Sequence, residues 1–164
     1  MALKTVLITG CSSGGVGAAL ALAFQQREFH VFATARTPSK IDAALTKLPN
    51  VEVLALDVTD AAQISHVVED VTAKTNAQLD VLINNAGANY TMPVLDASLE
   101  DGKKLFDANF WGMIAMCQAF APLLVRAKGT VVNMSSIAGE LNTPWMGRVE
   151  PFHYEIRVRA ETLL

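Results

Sequence analysis

Four glycines within eight residues, Gly10-Cys11-Ser12-Ser13-Gly14-Gly15-Val16-Gly17, are the first part of this chain whose type and spacing could do chemistry. They follow an apolar run at Thr5–Thr9 and precede an Ala- and Leu-rich stretch at Val16–Arg27. That strand–turn–helix context is what gives a glycine cluster meaning. Glycine permits the tight turn and a close backbone approach, and the helix N-terminus that follows offers unpaired N–H donors and a partial positive charge. The combination can cradle a nucleotide phosphate, with Gly10, Ser12, Gly14, Gly15, Val16 and Gly17 as candidate contacts. An ordinary flexible turn would leave the glycine density unexplained. Cys11, in the same loop, is either a thiol activated by the helix N-terminus or simply a small residue that fits.

The sign of charge at the next strand narrows the ligand. That strand ends Val31-Phe32-Ala33-Thr34-Ala35-Arg36. In a dinucleotide-binding unit an Asp or Glu at this point binds the ribose 2′-hydroxyl of NAD. No carboxylate is present here to repel a 2′-phosphate, and Arg36 offers a planar fork suited to one. Ser12 can add a hydroxyl. NADP(H) is therefore the expected cofactor, with the missing acid the stronger half of the case. Arg36 as a solvated surface cation is the alternative.

The elements that must position these residues alternate along the chain. Apolar runs suited to strands recur at Thr5–Thr9, His30–Thr34, Val51–Leu56, Leu79–Ile83 and Gly129–Met134. Helical patterns lie between them at Val16–Arg27, Ile41–Leu48, Asp60–Lys74 and Leu99–Val125. Asp60 is a candidate N-cap, and Pro122 is expected to kink or end the last helix. Strand–helix alternation implies βαβ units and, with right-handed crossovers, an α/β doubly wound parallel sheet of the Rossmann type. The expected strand order is 3-2-1-4-5, with a crevice beside strands 1 and 4.

Bulk properties exclude other classes. Hydrophobic residues make up 51% and charged residues 18%, which suits a sheet buried on both faces. A net charge of −3 and the lack of a Lys/Arg-rich run argue against nucleic acid. Cys11 and Cys117 are too few for a disulfide framework or zinc site, and His30, His66 and His153 lack ligand spacing, so no metal is expected. No run of about 18 consecutive apolar residues suggests a transmembrane helix. A cytoplasmic chain with a small-molecule substrate is expected, and homo-oligomerisation is left open.

Further motifs follow in an order that resembles the short-chain dehydrogenase/reductase family. The glycine loop resembles its Thr-Gly-x-x-x-Gly-x-Gly, with one extra glycine, so the match runs through either Gly14 or Gly15. Asp57-Val58 resembles the adenine-contacting pair, and Asn84-Asn85-Ala86-Gly87 looks like the family's Asn-Asn-Ala-Gly. Asn109 matches the helix asparagine of the proton relay. Val131-Val132-Asn133-Met134-Ser135-Ser136-Ile137-Ala138-Gly139 resembles the strand bearing the catalytic serine, which would be Ser136. Within the family the chain looks most like the fungal acyl-dihydroxyacetone-phosphate reductase branch. The resemblance implies hydride transfer between NADP(H) and a carbonyl or alcohol of a lipid-like or secondary-metabolite substrate. Each motif also admits a plainer role: Asp57 as a helix cap, Asn85 as a turn residue, Asn109 on a solvated helix face, and Ser135 and Ser136 as a strand end.

The pattern breaks where the family's catalytic pair should be. A tyrosine general acid thirteen residues after Ser136, and a lysine four further on, would fall on Val149 and His153. Valine has no proton to give, and histidine titrates far below lysine. Tyr154 is the nearby phenol, but Val158 lies four residues beyond it. Residues 1–147 are family-like and 148–155 diverge, whereas Ala160-Glu161-Thr162-Leu163 again resembles the helix after the tyrosine. A mismatch between matching flanks is the pattern that a compensated frameshift or wrong splice junction would leave. The expectation is a single dinucleotide-binding domain over 1–164, incomplete at its C-terminus, with the family's last two strands lying beyond Leu164 and an exposed sheet edge as the result.

Overall fold

The computed structural model describes residues 3–93 and 95–136. The positions 148–155, with Val149, His153 and Tyr154, and the motif's tail Ile137-Ala138-Gly139 lie outside the described residues. Five strands form the sheet: β1 (Thr5–Ile8), β2 (His30–Ala35), β3 (Val51–Ala55), β4 (Val81–Asn84) and β5 (Thr130–Asn133). All pair in parallel, in the order β3-β2-β1-β4-β5. The helices are α1 (Val16–Gln25), α2 (Ala43–Thr46), α3 (Ala61–Thr75), α4 (Leu99–Phe106) and α5 (Gly112–Ala127), with a 3₁₀ turn at Pro38–Lys40. The expected doubly wound architecture and strand order are both present.

Side-chain alternation along each strand divides the core into two layers. Val6, Ile8, Val31, Ala33 and Ile83 face one way and pack with Ala21 of α1 and Leu45 of α2. Leu7, Phe32, Leu82 and Val131 face the other and pack with Ile64, Val67 and Val71 of α3 and Met116, Phe120 and Leu124 of α5. β1 is buried at every position because both neighbours and both helix layers cover it. At its N-terminal end the backbone N–H and hydroxyl of Thr5 both donate to Asp80 Oδ2, at 2.8 and 2.9 Å, tying β1 to the entry of β4.

Local chemistry sets the helix ends. Asp42 caps α2, Asp60 caps α3 and Ser98 caps α4 through side-chain oxygens that accept first-turn N–H groups. The backbone N–H of Gln63, above all, holds the Asp60 carboxyl below the usual carboxylate range. Asn76 and Lys128 end α3 and α5 in the left-handed conformation.

The long helical run departs from expectation. Pro122 does not end it but sits inside α5, which continues to Ala127. Both Pro122 and Gln118, whose carbonyl loses its partner, are exposed, so water can take the freed acceptor. The interruption falls earlier, at Asp107–Trp111, where the backbone widens into a π turn between α4 and α5. Taken together, Leu99–Ala127 is long and apolar enough by length and composition to cross a membrane. Met116, Phe120 and Leu124 of this run pack against the sheet, whereas Leu99, Phe106 and Trp111 are exposed. Among the described residues β5 is a sheet edge, with Val132 and Met134 exposed.

Phe120 is fully buried between α3 and the sheet. Phe120→Ala should cost about 3–5 kcal/mol by removing contacts and leaving a void. Urea unfolding followed by circular dichroism measures the loss.

Candidate functional site

The site lies where the C-terminal ends of β1 and β4 part. The chain turns from β1 toward β2 and β3 on one side and later returns to β4 on the other. This reversal of direction opens a crevice at the carboxyl ends of the strands. Thr9 and Asn85 brace its floor. The Thr9 hydroxyl, almost wholly buried, accepts from the backbone N–H groups of Asn85 and Ala86 at 2.9 and 2.8 Å. The Asn85 amide in turn donates to the carbonyls of Thr9 and Gly10 at 2.8 and 3.1 Å.

The glycine loop is folded around this brace. Gly10 has φ +76°, and a Cβ there would lie 2.9 Å from Ala86 Cα. At Gly17 a Cβ would lie 2.5 Å from both Asn85 Nδ2 and the Gly10 carbonyl oxygen, so only glycine lets α1 start this close to the strands. Gly15 is the N-cap of α1 in extended conformation, whereas Gly14 has φ +76° with open space around it. Gly15-Val16-Gly17 thus occupies the helix start, and Gly14 is the extra residue in the turn. Unlike α2, α3 and α4, α1 has no side-chain cap; its first turn holds no acidic residue. Its orphan N–H donors are left for an anion. Burial pushes the Cys11 thiol up to about 11, which fits the small-residue role rather than an activated thiol.

Two adjoining hollows make one long cleft. The larger, about 1230 Å³, is lined by Gly10, Ser12, Gly15, Val16, Arg36, Asp57, Val58, Asn85, Ala86 and Gly87 of the residues singled out in the sequence. The smaller, about 470 Å³, shares Val16, Val58, Asn85, Ala86 and Gly87 and adds Asn109 and Ser136. Gly14 and Gly17 line neither, since Gly17 is buried beneath the wall and Gly14 faces outward.

Several lining residues were not singled out. Lys40, at the end of the 3₁₀ turn, joins the exposed Arg36 and Thr37 on the wall, and its carbonyl accepts the Ser13 N–H at 2.8 Å, binding the turn to the glycine loop. A second cation four residues beyond Arg36, with a proline between, is the signal in the sequence that marks Lys40.

At the other end, Asn109 sits in the π turn, a backbone form often found at functional sites. Its side chain is taken up by Ala88, accepting the Ala88 N–H at 2.8 Å and donating to the Ala88 carbonyl at 2.9 Å. It therefore locks the loop after β4 rather than lying on a solvated face. Asn84 donates to Asn133 Oδ1 at 2.8 Å and so joins the end of β4 to the strand that leads to Ser135 and Ser136. Asp57 is not a helix cap, because Asp60 fills that position. Asp57 Oδ1 instead accepts from the N–H and hydroxyl of Thr59, at 3.0 and 2.8 Å.

Known proteins are similar to this chain in sequence and fold. A family model described as short chain dehydrogenase matches residues 4–148. Short-chain dehydrogenase cctT of Talaromyces islandicus is 49% identical over 145 residues, covering 88% of this chain and 51% of that protein. The NADPH-dependent 1-acyldihydroxyacetone phosphate reductase of Schizosaccharomyces pombe is 50% identical over 134 residues, covering 82% of this chain and 45% of that one. A solved short-chain dehydrogenase from Streptomyces avermitilis superposes with a TM-score of 0.84 at 30% identity, over 93% of this chain and 56% of its own. The chain spans about half the length of these relatives.

Thr9 generates a test of the brace. Thr9→Val keeps the shape but leaves two backbone N–H groups without an acceptor, which should cost about 1–3 kcal/mol, whereas Thr9→Ser should lose less. Chemical denaturation of the two variants compares them.

Proposed function

Because the chain belongs to the short-chain dehydrogenase family, we propose that its cleft holds NADP(H) and that its lineage transfers hydride to or from a carbonyl or alcohol carbon. The observation that carries this is the uncapped N-terminus of α1, set under a glycine turn at the strand switch point with Arg36 and no carboxylate at the end of β2. The donor set suits the cofactor. Orphan N–H groups of α1 would hold the pyrophosphate, while Arg36, Lys40 and Ser12 would meet the 2′-phosphate. Asp57 and Val58 would take the adenine, with Ala86 and Gly87 on the facing wall. The S. pombe relative, named as NADPH-dependent, supports the same choice and suggests a lipid-like substrate.

When bound, the cofactor supplies the hydride. The Ser136 hydroxyl would donate to the carbonyl oxygen and orient it. Asn109 would keep the loop at Ala88 in place and hold the relay water beside it. The proton donor is the weak point, because Val149 and His153 occupy the positions of the family's tyrosine and lysine. Those two residues favour a second reading, a nucleotide-binding module without catalysis. Both readings treat the chain as one dinucleotide-binding domain, in a cytoplasmic setting.

NADPH should bind more tightly than NADH, and Arg36→Ala should weaken NADPH roughly ten- to hundred-fold while sparing NADH, since a charge-assisted hydrogen bond is lost. Equal losses for both cofactors in a fluorescence titration would refute the assignment. The chain as written should consume NADPH negligibly with a panel of ketones, because general acid catalysis contributes about 10²–10⁴-fold and neither Val149 nor His153 supplies it. Robust turnover abolished by Tyr154→Phe would instead make Tyr154 the acid.

A further inference from the structure

One polar side chain beside the cleft links the backbone at Asp57 to the side chain that caps α3. Gln63 lies in the first turn of α3 and is half-buried. Its Oε1 accepts the backbone N–H of Asp57 at 2.9 Å, and its Nε2 donates to Asp60 Oδ2 at 2.8 Å. Asp60 Oδ1 meanwhile caps α3 by accepting from Ala62 and Gln63 N–H groups, at 2.9 and 3.2 Å. In the ordinary capping box the third helical residue reaches back to the N–H of the cap residue itself. Here that N–H, on Asp60, is already bonded to the Asp57 carbonyl at 3.0 Å, so Gln63 reaches three residues further back, to Asp57.

The consequence falls on the Asp57 carboxylate. Its backbone N–H is fixed by Gln63, its carbonyl by Asp60, and its Oδ1 by Thr59. The next residue back is held as well, since the Leu56 N–H donates to the Ala35 carbonyl at 3.0 Å, beside Arg36. With both backbone groups and one carboxylate oxygen committed, the side chain loses most of its rotational freedom, and Oδ2 remains for a donor arriving in the cleft that Asp57 lines. An acceptor held in place before binding costs less ordering when the ligand arrives, and it rejects a ligand that presents an acceptor instead.

We propose that Gln63 is a positioning residue for base selection: by fixing Asp57 it makes the cleft choose a purine with a 6-amino donor over one with a 6-oxo acceptor. The inference rests on the nucleotide reading above and adds to it a residue that touches no ligand. Gln63 as nothing more than part of the α3 cap predicts a loss common to every ligand, which separates the two roles.

The experiment titrates the full chain with NADPH and with deamino-NADPH, which carries hypoxanthine in place of adenine. The wild type should prefer NADPH by about tenfold, the worth of one hydrogen bond to a charged acceptor. Gln63→Met keeps the stem and removes both hydrogen bonds. It should bring the preference to about twofold or less, with deamino-NADPH binding little changed. Gln63→Glu, which keeps the acceptor for the Asp57 N–H, should retain more of the preference. Thermal unfolding of each variant shows whether α3 is intact. In a folded Gln63→Met, base preference equal to wild type overturns the proposal; if α3 has melted there, the Glu variant decides, and loss of the preference despite its retained acceptor overturns it. Equal weakening of both ligands, or no change in either, also overturns it. A wild type that binds both nucleotides without preference overturns the base-selection role while leaving the cofactor reading intact. A wild type that binds neither overturns the cofactor reading itself.

Discussion

The constraint on which the rest depends is the need to satisfy backbone polar groups where two adjacent parallel strands end without closing the gap between them. β1 and β4 stop at the same level, and past that level the sheet ladder no longer supplies partners. One hydroxyl and one carboxamide take over. Thr9 Oγ1 serves two backbone N–H groups of the loop after β4, and Asn85 Nδ2 serves two carbonyls of the loop after β1. Because each loop is held by a side chain of the other, they stay apart at a set distance, and the crevice between them is open with these four backbone groups paired.

The glycines follow from that brace. A side chain at Gly17 would strike the Asn85 amide and the Gly10 carbonyl that it binds, so the start of α1 can approach only without a Cβ. This close approach aims the uncapped end of the helix into the cleft. The same economy governs the opposite wall, where a Cβ at Gly112 would lie 2.7 Å from Val58 Cγ2, so α5 begins against a residue that lines the cleft. The π turn just before it carries Asn109 toward Ala88, fixing the loop after β4 from the far side. The cleft is thus framed by backbone contacts, and its charged and hydroxyl-bearing residues project from a rigid rim.

Electrostatics differ between the two ends. Arg36 and Lys40 are exposed on the wall beyond β2, where α1 adds its dipole, and no carboxylate ends that strand. Asp57 lies further along, already engaged with Thr59. Positive charge at one point and a hydrogen-bond acceptor at another suit an extended ligand that carries an anion and a donor at separate places.

Fold class, strand order and most of the residues lining the cleft were legible in the amino-acid order alone. Strand and helix periods alternate without ambiguity, and short-range signals such as Gly10–Gly17, Asp60 and the bare end of β2 act within a few residues of their own backbone. Tertiary structure decided what depends on residues distant in the chain. Gly15 rather than Gly14 starts the helix because Gly17, two residues on, must fit beneath Asn85. Pro122 leaves α5 unbroken because that side of the helix faces water while Phe120 and Leu124 are pinned in the core. Lys40 reaches the cleft because its carbonyl is tied to Ser13, and Gln63 reaches Asp57 because the N–H it would ordinarily bond is already taken. Local composition encodes periods and turns, whereas which donor meets which acceptor is settled only when the strands bring them together.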